Sequence, residues 1–317
     1  MIDVWYGDHQ RFGHLGRPQR WVNVLGRVRN CDRVQRFTCS LNDGVDWPLM
    51  LGPDGHRLAN PGDFNAEIGW DDLRVGENAL RLKVWYDDGR SRERGVVLSV
   101  DRQCVCSLPH RVSWADAGHI QDVAQVTDGL WRLTEAGVRV VEPYYDRVIA
   151  LGDLAWTDYE VRTTVTFHGI REPDRQAGDG GAGVIHAAIA VRWPGHDDDG
   201  QQPRVKWYPL GATAEFRVNP SWEGCSWRIL GGGDVVVNSD RQRGILRETP
   251  YRMKHRVCTA SDGGAVYRVR LWQADEPESA EWDLELRKPP GGAQSGGALL
   301  IAHYTEVTFG DVEIVPV

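Results

Sequence analysis

Methionine and cysteine are scarce in this chain of 317 residues, which has 3 Met and 6 Cys. No stretch stays apolar for the roughly 18 residues a membrane-spanning helix needs, so no membrane partner is expected. The opening Met1-Ile2-Asp3-Val4-Trp5 lacks the basic and apolar regions of a signal peptide. The expectation is a cytoplasmic protein if Met1 is the natural start and a secreted one otherwise. A basic excess is missing too: 37 Lys and Arg against 45 Asp and Glu give a net charge of -8, so no nucleic-acid partner is expected. Cys31, Cys39, Cys104, Cys106, Cys225 and Cys258 are too sparse for a disulfide framework, and Cys104-Val105-Cys106 is one residue too tight for a zinc-knuckle pair. They read as free thiols. The chain has no phosphate-cradling glycine loop, no G-x-S-x-G elbow and no CxxC pair, so no cofactor and no catalytic metal are expected. Structural calcium is admitted at His196-Asp197-Asp198-Asp199-Gly200, although a solvated acidic loop accounts for that run more simply. Oligomeric state is left open.

Helical periodicity is also lacking, whereas turn formers and flat aromatics abound, with 36 Gly, 16 Pro and 14 Trp. These point to an all-β protein, and the length points to two domains, at 1–107 and 108–317. In the first, Trp21 to Gly26, Val34 to Leu41, Phe64 to Ile68, Ala79 to Tyr86 and Gly95 to Val100 read as strands between turn signals such as Asn42-Asp43-Gly44 and Asp87-Asp88-Gly89. Ser40-Leu41-Asn42-Asp43-Gly44, Gly62-Asp63-Phe64-Asn65 and the run Leu73 to Leu80 carry a resemblance to bacterial immunoglobulin-like modules. That resemblance implies an immunoglobulin-like sandwich acting as a spacer or docking surface.

The second part centres on two runs of period two. In Tyr159 to His168 the polar set is Glu160, Arg162, Thr164, Thr166 and His168. In Gly183 to Trp193, His186, Ala188, Ala190 and Arg192 fall on one side, and Ile185, Ala187, Ile189, Val191 and Trp193 on the other. A helical turn is expected near Asp122 to Trp131, then further strands to Val315, with glycine-rich loops at 177–183 and 290–297. Arg268-Val269-Arg270-Leu271-Trp272-Gln273, Glu276-Pro277, Trp282 and the closing Phe309 to Ile314 resemble the concanavalin-like and laminin-G-like jelly rolls. The resemblance implies a jelly-roll sandwich and a glycan as partner, bound or acted on by glycoside hydrolase or polysaccharide lyase chemistry.

Several constellations suit that chemistry. Glu281-Trp282-Asp283-Leu284-Glu285 has the E-x-D-x-E spacing of family 16 glycoside hydrolases, which implies carboxylates about 5 Å apart for a retaining mechanism. Val184-Ile185-His186 resembles the Gln-x-His motif of jelly-roll alginate lyases with Val184 in place of the glutamine, which implies His186 as base, Arg162 or Arg192 as neutraliser and Tyr304 as acid. Arg162, Arg192, Arg217, Arg228, Arg268 and Arg270, with His168, His186, Glu215 and His303, fall in expected strands, and a shared sheet face would make them an anion-binding trough. The catalytic candidates are Glu215, His186 and His168. Trp207 and Trp222, beside prolines in loop-like sequence, are expected to be exposed and to stack on sugar, while Trp193 and Trp227 read as core. The partner expected is a glycan, most simply an acidic one. A non-catalytic glycan-binding module and an enzyme acting on a small anionic metabolite stand beside that reading.

Overall fold

The computed structural model describes residues 1–174, 184–207, 210–232 and 235–317; the glycine-rich loop at 177–183, Tyr208 and the strand start at Asp234 lie outside the described residues. The chain is all-β, a small sandwich followed by a larger jelly-roll sandwich. Strands β1 (Ile2–Val4), β2 (His9–Phe12), β3 (Trp21–Val28), β4 (Val34–Leu41), β5 (Trp47–Pro48), β6 (Asp63–Gly69), β7 (Gly76–Tyr86) and β8 (Ser91–Val100) build the first. They form a three-stranded sheet, β1-β3-β6, and a five-stranded sheet, β2-β8-β7-β4-β5. Alternation dictates which sides meet: in β7, Leu80, Leu82 and Val84 are buried while Arg81 faces solvent. Val22, Val24, Phe64 and Ile68 of the three-stranded sheet pack against them.

The larger sandwich begins with β9 (His110–Val112), β10 (Gln125–Asp128), β11 (Trp131–Thr134), β12 (Gly137–Val140), β13 (Arg147–Leu151) and β14 (Tyr159–Ile170). It continues with β15 (His186–Trp193), β16 (Ala212–Arg217), β17 (Ser226–Leu230), β18 (Val236–Asn238) and β19 (Pro250–Thr259). It closes with β20 (Ala265–Gln273), β21 (Leu284–Lys288), β22 (Gly297–His303) and β23 (Thr305–Pro316). A seven-stranded sheet, β10-β13-β22-β15-β16-β17-β18, faces an eight-stranded one, β11-β12-β23-β14-β19-β20-β21 with β9 beside β23. Between them lie Val161, Val165, Phe167, Ile189, Val191, Phe216, Trp227 and Leu300. Each such side chain contributes about 1.5–3 kcal/mol by leaving water.

The two sandwiches meet through a buried polar seam. Arg57 donates to Asp128 (Nε to Oδ2, 2.8 Å) and Glu67 (Nη1 to Oε1, 2.7 Å), and all three side chains are essentially without solvent contact. Asn65 donates to Asp128 Oδ1 at 3.0 Å, Asn23 to Asn65 Oδ1 at 3.0 Å, and the Arg204 amide to Glu67 Oε2 at 2.7 Å. Asn23, Asn65 and Glu67 come from the side of the three-stranded sheet turned away from its own core, so that sheet covers the β10 end of the seven-stranded sheet.

Two local expectations change. The helical turn near 122–131 is a single 3-10 turn at Ile120–Asp122, capped through His119, before β10 begins at Gln125. Glu281, Asp283 and Glu285 do not share a strand face, because β21 starts only at Leu284. Each bonds a different arginine: Arg241, Arg243 and Arg268. In the acidic loop, Asp197 pairs with Arg20 and Lys206, Asp198 with Arg204, and Asp199 accepts from the amides of Gln201, Val205 and Lys206. Those carboxylates tie the loop to itself and to the first sandwich.

Candidate functional site

Strand pairing places three rows of side chains on the outer face of the seven-stranded sheet. The first runs Asp146, His303, His186, Arg217, Ser226. The second runs Val148, Ile301, Ala188, Glu215, Arg228, Asn238. The third, Ala150, Leu299, Ala190, Thr213 and Leu230, lies under Trp207 and Leu210. Period two keeps polar groups of the first two rows together and sends Ala187, Ile189 and Phe216 to the core.

The first row is acid, imidazole, imidazole, guanidinium and hydroxyl in sequence. His303 Nδ1 lies 2.7 Å from Asp146 Oδ1. The rings of His303 and His186 stack at 4.6 Å and 2°. His186 Nδ1 lies 3.8 Å from Glu215 Oε2, and Glu215 is held by Arg228 (Nε to Oε2, 2.7 Å). Burial holds the His186 imidazole well below its ordinary value, with His303, Arg228 and Arg217 adding to it. Burial raises the Glu215 carboxyl, against the opposing pull of Arg228. Arg217 is half-buried, and its guanidinium makes no hydrogen bond or ion pair among the described residues; burial and the neighbouring Arg228 lower it. It lines a cavity of about 430 Å³ with Ser226, Asn219 and Gln242. Beyond His303, Tyr145 packs edge-on at 4.9 Å, and the exposed His56 of the first sandwich packs on Tyr145 at 5.2 Å.

The structure brings together His186, Glu215, Arg228, His303 and Trp207, and separates the rest. Arg162, Arg268 and Arg270 lie on the eight-stranded sheet, because β14 and β20 belong to it; they pair with Glu160, Glu285 and Glu278. The trough expected from the strand arginines is therefore divided between two sheets. His168 is on β14 as well, between Glu248 Oε2 at 2.7 Å and Thr308 Oγ1 at 2.8 Å. Arg192 leaves the His186 row because the register shifts between Ala190 and Trp193 and Arg192 adopts φ 53°. Its guanidinium is buried against Asp158 Oδ1 and Thr259 Oγ1, both at 2.7 Å, and the same shift moves Trp193 from the core side to the outer face. Neither tryptophan expected to be exposed is so: Trp222 is half-buried against Phe167 at the end of the inter-sheet core, and Trp207 is half-buried against Trp193 at 5.3 Å and His196 at 5.1 Å. Tyr304 is fully buried between the Tyr144 and His303 rings.

Sequence reasoning missed Asp146, Tyr145 and His56. Asp146 and Tyr145 precede a strand, and only the pairing of β13 with β22 sets them beside His303. His56 comes from the other sandwich, and no local pattern marks it.

No family model matches the chain and no curated protein does. Among solved structures it is similar to the carbohydrate binding module CBM66 from Bacillus subtilis, with 12% identity over 61% of this chain and 94% of that one and a TM-score of 0.36. It is also similar to a xylan beta-1,4-xylosidase from Bacillus halodurans C-125, with 12% identity over 95% of this chain and 64% of that one and a TM-score of 0.41. The alginate lyase Aly36B shares 10% identity over 64% of this chain and 88% of that one, with a TM-score of 0.35.

Proposed function

We propose that the outer face of the seven-stranded sheet takes an acidic glycan, with Arg217 gripping its anionic group and Trp207 stacking on a sugar ring. The observation that carries this reading is Arg217, a half-buried guanidinium that pairs with no side chain among the described residues and faces a cavity of about 430 Å³ lined also by Asn219, Ser226, Gln242 and one carboxylate, Glu172. A planar fork of donors in such a place suits a carboxylate or sulfate held bidentately. Trp207 is half-buried with its Nε1 3.4 Å from Thr213 Oγ1, one row from Glu215, which suits an aromatic platform. Arg228 holds Glu215 on the same face, and any chemistry that accompanies binding is assigned to Glu215 as acid/base. In this reading the larger sandwich is a concanavalin-like relative, and the smaller one is an immunoglobulin-like support that contributes His56 to the rim.

The test is a titration of the protein with uronate-containing and neutral polysaccharides, following binding, new reducing ends and the absorbance of unsaturated products together. Preferential binding of the uronate chains, weakened at least about tenfold in Arg217→Ala, is the expected result. Equal binding of neutral chains, or an unchanged Arg217→Ala, overturns the reading. Reducing ends that vanish in Glu215→Gln while binding persists assign that carboxylate a catalytic role.

A further inference from the structure

His303 Nδ1 faces both the Asp146 carboxylate at 2.7 Å and the Asp146 amide at 3.3 Å; the shorter, charge-assisted contact to an oxygen that only accepts puts the proton on Nδ1 and the lone pair on Nε2. That Nε2 is buried and without a hydrogen-bond partner, and so is His186 Nδ1. Buried polar atoms without partners are uncommon, and two of them lie on side chains directly opposite each other on β15 and β22. One ligand atom each from Asp146, His186 and His303 lies within 4.8 Å of the others, and Glu215 Oε2 is 3.8 Å from His186 Nδ1. From this geometry we propose that His186 and His303 bind a divalent transition ion of the zinc type, with Asp146 supporting His303 from behind.

The chemistry of the donors selects the ion. Two imidazoles beside carboxylates suit zinc, nickel or copper, whereas magnesium and calcium favour all-oxygen shells. A carboxylate holding the far nitrogen of a metal-bound histidine fixes its tautomer and raises its basicity, and loss of that partner typically weakens metal binding by about 10–100-fold. The two rings lie parallel, so closing on one ion rotates one of them about its side-chain torsions. His168 cannot join them, since it is on the other sheet. The inference stands apart from the glycan reading, because neither Arg217 nor Trp207 is among the ligands.

The experiment uses the full chain stripped with a chelator, dialysed against Zn²⁺ and measured by elemental analysis, with Co²⁺ absorption as a second readout. One zinc per chain is expected, with a tetrahedral-type Co²⁺ spectrum. Affinity should fall at least about tenfold in His303→Gln and His186→Gln, and about 10–100-fold in Asp146→Asn. Melting of each metal-free variant shows that it is folded, and Asp146→Asn serves if a histidine variant is not. Zinc that is not retained overturns the proposal. So does retention that is equal in the wild type and in every folded variant of the three.

Discussion

Two of the buried polar regions of this protein are built on opposite principles. At the seam between the sandwiches, Arg57 satisfies Glu67 and Asp128, and Asn23 and Asn65 fill the remaining acceptor positions. In the row on the outer face of the seven-stranded sheet, His186 Nδ1 and His303 Nε2 lack partners, and beside them the half-buried Arg217 guanidinium pairs with no side chain among the described residues. Paired charges in a dry interface lock a geometry, whereas groups left unpaired at similar depth cost stability and are retained where a ligand completes them. The contrast teaches that burial of charge alone does not mark a site; several unpaired groups side by side do so better, since single unpaired atoms such as Gln19 Oε1 and His196 Nδ1 also occur at the seam.

The largest effect should come from breaking the seam. Arg57→Ala leaves Glu67 and Asp128 buried without their cation, and we expect a loss on the order of 3–5 kcal/mol in urea denaturation. A smaller loss would mean that water or Arg204 takes the place of Arg57.

Acid should loosen the seam next. Burial, then the charges of Arg57, Arg204 and Arg20, hold His196 well below its ordinary value. A histidine with a depressed folded pKa contributes stability that is present above its unfolded value near 6.5 and is lost as pH falls below it. The urea midpoint should therefore drop between pH 7 and 5, and His196→Gln should flatten that slope by up to about 1.4 kcal/mol per pH unit.

Arg217→Ala should do the reverse of Arg57→Ala. We expect stability within about 0.5 kcal/mol of the wild type, with the loss confined to affinity for an anionic glycan. The smallest effect on metal-free stability is expected for His186→Leu, which removes a nitrogen that has no partner to lose. A thermal melt of that variant matching or exceeding the wild type supports the contrast, and a large drop would show that His186 is a structural residue like Arg57.

Much of the fold was legible in the sequence. Val34–Leu41, Ser226–Leu230 and Ala265–Gln273 are strands over the ranges that alternation predicts. The short strands His9–Phe12, Trp47–Pro48 and Gln125–Asp128 were not visible, since they are too brief to show a period. The site was only half legible. Alternation puts His186 opposite the core-facing set, but it cannot say which sheet a strand joins, and Arg162, Arg268 and Arg270 went astray for that reason. Arg192 was misplaced for a different one: a single left-handed residue reverses the alternation, and nothing in Ala190-Val191-Arg192-Trp193 announces it.

The pairing of β15 with β22 has a further consequence. Both strands are apolar on each side, from Ala187 to Val191 and from Ala298 to Ala302, and are buried on each side. A slip of one residue would therefore exchange one greasy surface for another at little cost, the situation in which strands lose their place. His186 and His303 remove that freedom, because the slipped pair would carry an imidazole into the space between the sheets. At the other end Gly296, at φ 149°, lies against the backbone of Arg192 and Trp193 so closely that a side chain there would collide with it. The same two histidines that face the site thus also mark the register of this pair, a role that His186→Leu leaves to His303.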